Sequence, residues 1–379
     1  VKDRRDGDFI DLRMLKRRSW IVCQFFSFDV FRMKSTIAII RETTKEAKMT
    51  PPTMRAQMFD GPATDSSRTR VGDAAKPEPT RGHVLIRVTH ASINFKDVMM
   101  RRGDSGYVTE WPVIPGLEVA GVIEQVGEGV DRLRVGTRVA ALTNTGGLAE
   151  YVSVSATLAT HIPDEVGSEV AAVVPGVWAT AWLLLHDAAR VRAGDTILVH
   201  SASGGVGAAI AALANAIADI RLIGVVGSAR RLDDAKRAGY ALAFVRGENL
   251  AEDVLARLGG AKVDVVLDPL GTTWLDSDLS VMAPAGRIVL FGNASGAALA
   301  PIPTDTLYTS NAAVGGFSIS TLSRIAPQRV RRAMDEVLSL IADGTLTPRP
   351  LVSEGLDSAG VLQQQLSDGS AKGKYVVSL

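Results

Sequence analysis

Two kinds of hydrophobic patterning divide the chain. Between Met54 and Val154 the apolar residues come in short runs broken by glycine, at Met54–Phe59, His83–His90, Pro115–Gly127, Val135–Leu142 and Gly147–Val154. Short alternating or Gly-interrupted runs predict strands joined by tight turns, and several in succession predict a barrel-like β domain. The intervening stretch up to Gly82, rich in Pro, Gly and Ser, reads as a polar loop. From about Val170 the pattern changes. Helices are predicted at 169–186, 208–217, 231–238, 249–258 and 273–282, and strands at 195–200, 221–226, 241–245, 263–268, 286–292 and 314–319. Such βαβ alternation implies a parallel sheet with helices on both faces. Helices near 326–341 and 357–367 and a strand at 374–378 close the chain. The fold class is therefore α/β, with a β-rich first domain and a doubly wound second one.

The second domain opens on the stretch most loaded with chemistry. Ile197, Leu198 and Val199 suit a strand buried on both faces, and Ala208–Ile217 suits a buried helix. Between them stands Ser201-Ala-Ser-Gly-Gly-Val-Gly207. Its Ala202-x-Gly204-x-x-Gly207 has the spacing of a dinucleotide loop, with Ala where the first Gly usually stands. In such a loop the backbone of Ser203, Gly204, Gly205, Val206 and Gly207 approaches a pyrophosphate, and the helix N-terminus offers free N–H groups. The next strand ends Gly227-Ser228-Ala-Arg230-Arg231, where an NAD-selective fold would place a carboxylate for the ribose hydroxyls. A hydroxyl and two guanidiniums stand there instead. An acid would repel a 2′-phosphate and arginine would clamp it, so NADPH is the cofactor expected. The bland alternative is a pair of arginines on a solvated helix start.

Composition narrows the partners. The 379 residues carry a net charge of +1. Residues 1–53 hold 12 Lys and Arg against 7 Asp and Glu, so the body is near −4 and offers no basic footprint for nucleic acid. Apolar runs in residues 1–53, such as Trp20–Phe26, are too short to span a bilayer. That segment reads as an N-terminal extension, disordered or preceding a true start at Met49 or Met54. Cys23, the single cysteine, lies within it, so no disulfide and no cysteine-ligated zinc site is expected, and a reducing cytoplasm fits.

Four segments together carry a resemblance: Val199-His-Ser-Ala-Ser-Gly-Gly-Val-Gly207, Asn94-Phe-Lys-Asp97, Pro115-Gly-Leu-Glu-Val-Ala-Gly121 and Phe291-Gly-Asn-Ala-Ser-Gly296. They resemble the medium-chain dehydrogenase/reductase superfamily, and within it the zinc-free quinone oxidoreductase and enoyl reductase branch. Asp268-Pro-Leu-Gly271 and Val314-Gly-Gly-Phe317 are also similar to the synaptic-vesicle membrane protein homologues. The resemblance covers about 54–379. It implies a GroES-like catalytic domain at 54–172, a Rossmann NADPH-binding domain at 173–310, and a segment at 311–379 that returns to the catalytic domain. The zinc-bearing branch would need a Cys near Ile93 and a His where Leu117 stands, so no metal is expected.

The implied activity is hydride transfer to a quinone or an α,β-unsaturated carbonyl, where the enolate formed needs only hydrogen-bond donors and a proton. An alternative is an NADPH-binding scaffold or membrane-associated partner with little reductase activity. By resemblance Asn94 and Thr180 lie beside the nicotinamide. Phe291, Gly292 and Lys374 contact the cofactor, and Ser228 and Arg231 meet the 2′-phosphate. Each has a plainer reading: Asn94 as a residue stabilising a turn before a helix, Thr180 as a helix hydroxyl bonded to its own backbone, Lys374 as a surface lysine. A tyrosine that often assists the phosphate clamp is Val245 here. Tyr107 is the nearest candidate proton donor, and Trp111, Trp178, Tyr308 and Phe317 are candidate aromatic lining. The resemblance also implies a homodimer, with Val314–Ile319 as the edge that pairs; no integral membrane segment is expected.

Overall fold

The computed structural model describes residues 52–108, 110–217 and 219–379; the readings made on residues 1–51 lie outside the described residues. The chain opens with a hairpin, β1 (Thr53–Phe59) against β2 (Thr69–Ala75), inside the stretch read as a polar loop. Strand β2 escaped notice because its residues, TRVGDAA, are half-exposed on both faces and show no apolar alternation. Then follow β3 (His83–Ser92), β4 (Glu118–Val126), β5 (Arg138–Leu142), β6 (Tyr151–Ser155) and β7 (Ala159–His161). Antiparallel pairing joins β3 to β4, β4 to β5, β5 to β7, and β6 to β3. Bridges from Ala56 to Ala149 and from Phe59 to Val113 tie the hairpin to this sheet.

The second sheet contains β8 (Thr196–His200), β9 (Arg221–Val226), β10 (Leu242–Val245), β11 (Val263–Asp268), β12 (Met282–Leu290) and β13 (Ala313–Gly316). All pairs are parallel, in the order β10-β9-β8-β11-β12-β13. In such a sheet ligands bind outside the carboxyl ends of the strands where the order reverses, here between β8 and β11. Strand β13 carries this sheet to residue 316, beyond the boundary read at 310. The strand read as 314–319 is correspondingly shorter, because Ser318 caps a helix at Ile319–Ile325, its hydroxyl accepting the Thr321 N–H at 3.2 Å.

The chain then returns to its first sheet. Strand β15 (Tyr375–Ser378) pairs antiparallel with β3, and β14 (Leu351–Glu354) pairs parallel with β15. The last residues thus lie beside Ser92, at the end of β3 that leads into the Asn94 loop.

A helix at Ser168–Ala188 packs against helices Gly205–Ala214 and Pro327–Ala342 within a core continuous with both sheets. By length and composition it could cross a membrane, but 78% of its apolar window is buried inside this fold. Leu183, Leu184 and Leu185 are fully buried there. Each such side chain contributes about 1.5–3 kcal/mol, so the apolarity is used by the core itself.

Candidate functional site

The site is built where the glycine loop, the start of the first-domain helix Phe95–Arg102 and the returning C-terminal segment converge. At the loop, Gly204 caps the helix Gly205–Ala214, whose first turn holds Val206 and Gly207. Ala202 takes the place of the loop's usual first glycine because the facing strand makes room for it. A Cβ on Gly224 of β9 would lie 2.8 Å from the Ala202 Cβ. The missing side chain has moved across the sheet, and the tight turn survives. The Tyr240 hydroxyl braces the same loop by donating to the Gly207 carbonyl at 2.7 Å.

Beyond β9, Gly227 is exposed and Ser228 half-buried. The two arginines differ. Arg231 Nε donates to the Ser203 hydroxyl at 3.3 Å, its Nη1 donates to the Ala371 carbonyl at 2.6 Å, and Asp234 pairs with it at 2.9 Å. Arg230 points to the C-terminal segment instead, donating to the Gly369 carbonyl at 3.1 Å. Arg231 therefore touches the phosphate loop and Arg230 does not. Val245 is partly exposed at the end of β10, in register with Val226.

At the other end of the loop lies a buried polar cluster centred on Glu118, a residue the sequence reading left without a role. Glu118 opens β4 with no exposed surface. Its Oε2 accepts the Gly176 N–H at 2.6 Å and the Val177 N–H at 3.3 Å. Those N–H groups are free because the helix Ser168–Ala188 takes a π turn at Val174–Trp178, with Pro175 as its second residue. A Cβ on Gly176 would press to 2.9 Å from the Glu118 carboxyl carbon, so glycine is needed for the approach. The other oxygen, Oε1, accepts from the Ser92 hydroxyl, from Asn94 Nδ2 at 3.2 Å, and from Lys374 Nζ at 3.1 Å.

Asn94 sits at the N-cap of Phe95–Arg102, where its backbone N–H donates to Asp97 Oδ2. Its Nδ2 turns to Ser92 and Glu118, and its Oδ1 accepts from Lys374 Nζ at 2.7 Å. Lys374 is no surface lysine. Its third N–H goes to the Ile93 carbonyl at 2.9 Å, so all three donors are engaged. Burial pulls its pKa down, opposed by the charge of Glu118. Asp97 completes the corner, accepting the N–H groups of Asn94 at 2.8 Å and Gly116 at 3.1 Å. Burial pushes its carboxyl up to about 6 despite those bonds.

A cavity of about 480 Å³ opens above this cluster. Asn94, Thr180, Tyr107, Val206, Phe291 and Gly292 all line it, so the structure brings together both ends of the candidate set. Ser203, Gly204, Gly205 and Lys374 line an adjoining cavity of about 290 Å³ on the other side of Val177. Phe317 faces the first cavity and Trp178 the second. Tyr308 does neither, being 85% exposed. Lys96 also lines the first cavity, a position that sequence reasoning had passed over inside Asn94-Phe-Lys-Asp97.

The architecture and this site define a class that comparison with known proteins bears out. Residues 80–164 match the family model for the alcohol dehydrogenase GroES-like domain, and residues 205–339 match that for the zinc-binding dehydrogenase domain. The chain belongs to the medium-chain dehydrogenase/reductase superfamily. Within it, the similarities point to the quinone oxidoreductase branch. A quinone oxidoreductase from Pseudomonas syringae pv. tomato is 28% identical, with a TM-score of 0.77 over 86% of this chain and 100% of that one. A mycobacterial protein solved with NADPH is 29% identical, also with a TM-score of 0.77 over 86% of this chain and 100% of that one. The mouse synaptic vesicle membrane protein VAT-1 homolog-like is 27% identical over 330 residues, which cover 83% of this chain and 78% of that protein.

Proposed function

We propose that this chain is an NADPH-dependent, zinc-independent reductase of quinones or activated C=C bonds. The observation that carries the reading is the line of contacts from Arg231 to Ser203 of the glycine loop, and from that loop to the two cavities lined by Gly204, Gly205, Asn94, Thr180 and Phe291. The donors along it, a guanidinium and a helix N-terminus, suit the anionic parts of a dinucleotide. Gly204–Gly207 would take the pyrophosphate on backbone N–H groups, and Ser228 and Arg231 the 2′-phosphate. The mycobacterial relative solved with NADPH supports the cofactor, and the quinone oxidoreductases support the acceptor class.

The reduced nicotinamide would supply hydride, and the chain's own residues orient and shield. Asn94, fixed by Lys374 and Glu118, presents its amide at the cavity floor. Thr180 and Phe291 form walls that hold a planar ring and keep water away from it. Zinc independence is supported by the residues at the corresponding positions. Ile93 and Leu117 are buried hydrocarbons, and Glu118 already spends both oxygens on backbone N–H groups and Lys374. An edge strand invites pairing, so β13 is the proposed dimer seam.

Stopped-flow oxidation of NADPH by 1,4-benzoquinone, a 2-alkenal and an enoyl thioester tests the reading. Acceleration by at least one acceptor is expected. Tight NADPH binding with no acceleration by any of the three would replace it with a cofactor-binding scaffold.

A further inference from the structure

The reaction proposed above consumes a proton as well as a hydride, and the cavity contains few groups able to give one. No carboxylate lines it among the described residues. Its ionisable lining groups are Tyr107, Arg324 and Lys96. Arg324 keeps its proton at any working pH. Tyr107 starts from 10 and burial pushes it higher still, which makes it a weak acid at neutrality. Lys374 and Asp97 lie beneath the floor, committed to Glu118, Asn94 and backbone N–H groups.

Lys96 is placed differently. It stands on the first turn of Phe95–Arg102, two residues past Asn94. Its Nζ donates to the Asn144 carbonyl at 2.9 Å and to the Ser320 hydroxyl at 2.9 Å. An ammonium has three N–H bonds, so one is left for a ligand in the cavity. The two contacts anchor the head from the 142–147 loop and from the helix Ile319–Ile325, so the position is built.

Building on the reductase reading, we infer that Lys96 is the proton donor of this site. A bound NADPH would supply hydride to the acceptor's β carbon, its nicotinamide C–H bond being the one broken, and the π pair would move onto the carbonyl as an enolate. One Lys96 N–H bond then breaks as the proton bonds to the α carbon or the enolate oxygen, leaving a neutral amine. Ser320 is half-buried at the cavity edge, so the amine regains its proton from water there.

The electrostatics agree with this placement. Burial lowers the Lys96 pKa to about 8, with Asp97 on its own helix pulling the other way. From the packed elements the charged and titratable groups facing the cavity are Arg324 and Tyr107, and residues 142–147 bring none. A donor near 8 is protonated at neutral pH and still a usable acid, the range in which general acids work.

Three measurements test the assignment. Lys96→Met should lower kcat/KM at pH 7 by about 10²-fold with the NADPH Kd unchanged, the usual size of a lost general acid. Lys96→Arg keeps the charge and both anchoring bonds but cannot release a proton, so it should be equally slow and should lose the fall in rate above pH 8. Competitive acetylation of the NADPH-free protein, read by peptide mass spectrometry, should give the Lys96 amine a midpoint near 8. Wild-type rates in Lys96→Arg would make the residue a tether, and a midpoint at the ordinary lysine value would overturn the assignment whatever the kinetics. Either result leaves the reductase reading standing. Wild-type protein that turns over no acceptor removes both.

Discussion

The two ends of the glycine loop are made by different means. At the β9 end, the residues proposed to meet a 2′-phosphate fall within five consecutive positions, Gly227 to Arg231, on a partly exposed turn. At the cavity end, Glu118 gathers partners from Ser92, Asn94, Gly176 and Lys374, spread over 282 residues of chain. The first end is a surface decoration on a standard sheet. The second is a buried charge network that also holds the returning strand against β3. Changes at the first should alter ligand choice with little effect on folding, and changes at the second should cost stability.

Glu118→Ala gives the largest expected effect. It leaves the Gly176 N–H buried without an acceptor, and the Lys374 ammonium without a counter-charge, held only by the Asn94 and Ile93 oxygens. Removing one partner of a buried ion pair costs about 3–5 kcal/mol. Urea unfolding should show a loss of this size, with Glu118→Gln smaller because the amide oxygen still accepts one N–H group. A loss below 1 kcal/mol for the alanine variant would mean that Lys374 finds water, and that the network does not hold the C-terminal segment.

This difference also explains what could be read from the chain without a structure. Strand, glycine loop and helix occupy one contiguous stretch, and local periodicity reports contiguous features well. The arginines were legible for the same reason. Glu118 was visible only as a carboxylate at the head of the apolar run Val119–Ile123, and such a residue signals a buried partner without saying which one. Its partners are set by where β15 docks and where the helix Ser168–Ala188 takes its π turn, both products of tertiary packing. The exchange between Ala202 and Gly224 was equally hidden, since one loop residue is explained by a gap on the neighbouring strand. Strands β2 and β14 were missed because neither buries an apolar face, and the helix at Ile319 was missed because Val314-Gly-Gly-Phe-Ser-Ile reads as strand until Ser318 caps it.

Arg231→Ala should act on the ligand. A charge-assisted hydrogen bond to a phosphate is worth about 1.5–3 kcal/mol, so NADPH affinity should fall by about 10- to 100-fold while NADH binding hardly changes. Fluorescence titration with both cofactors measures this. Equal losses would place Arg231 as a brace between Ser203 and Ala371 and remove it from the phosphate clamp.

Arg230→Ala separates the two arginines and should give the smallest effect. The sequence offers them as equals, side by side at the end of β9. The structure gives Arg230 no contact with the glycine loop, only the carbonyls of Asp368 and Gly369 at 3.5 and 3.1 Å. Losing one exposed hydrogen bond of this kind costs about 0.5–1.5 kcal/mol at most. The cost should appear as looser packing of residues 368–371, measured as faster amide exchange there, with NADPH affinity within about threefold of wild type, less than the tenfold that 1.4 kcal/mol would bring. A loss of NADPH affinity matching that of Arg231→Ala, with NADH untouched, would mean that Arg230 leaves Gly369 when the 2′-phosphate arrives. The exposed end of the loop would then be a two-armed clamp that closes on its ligand, in contrast to the buried network at Glu118, whose partners all come from the chain itself.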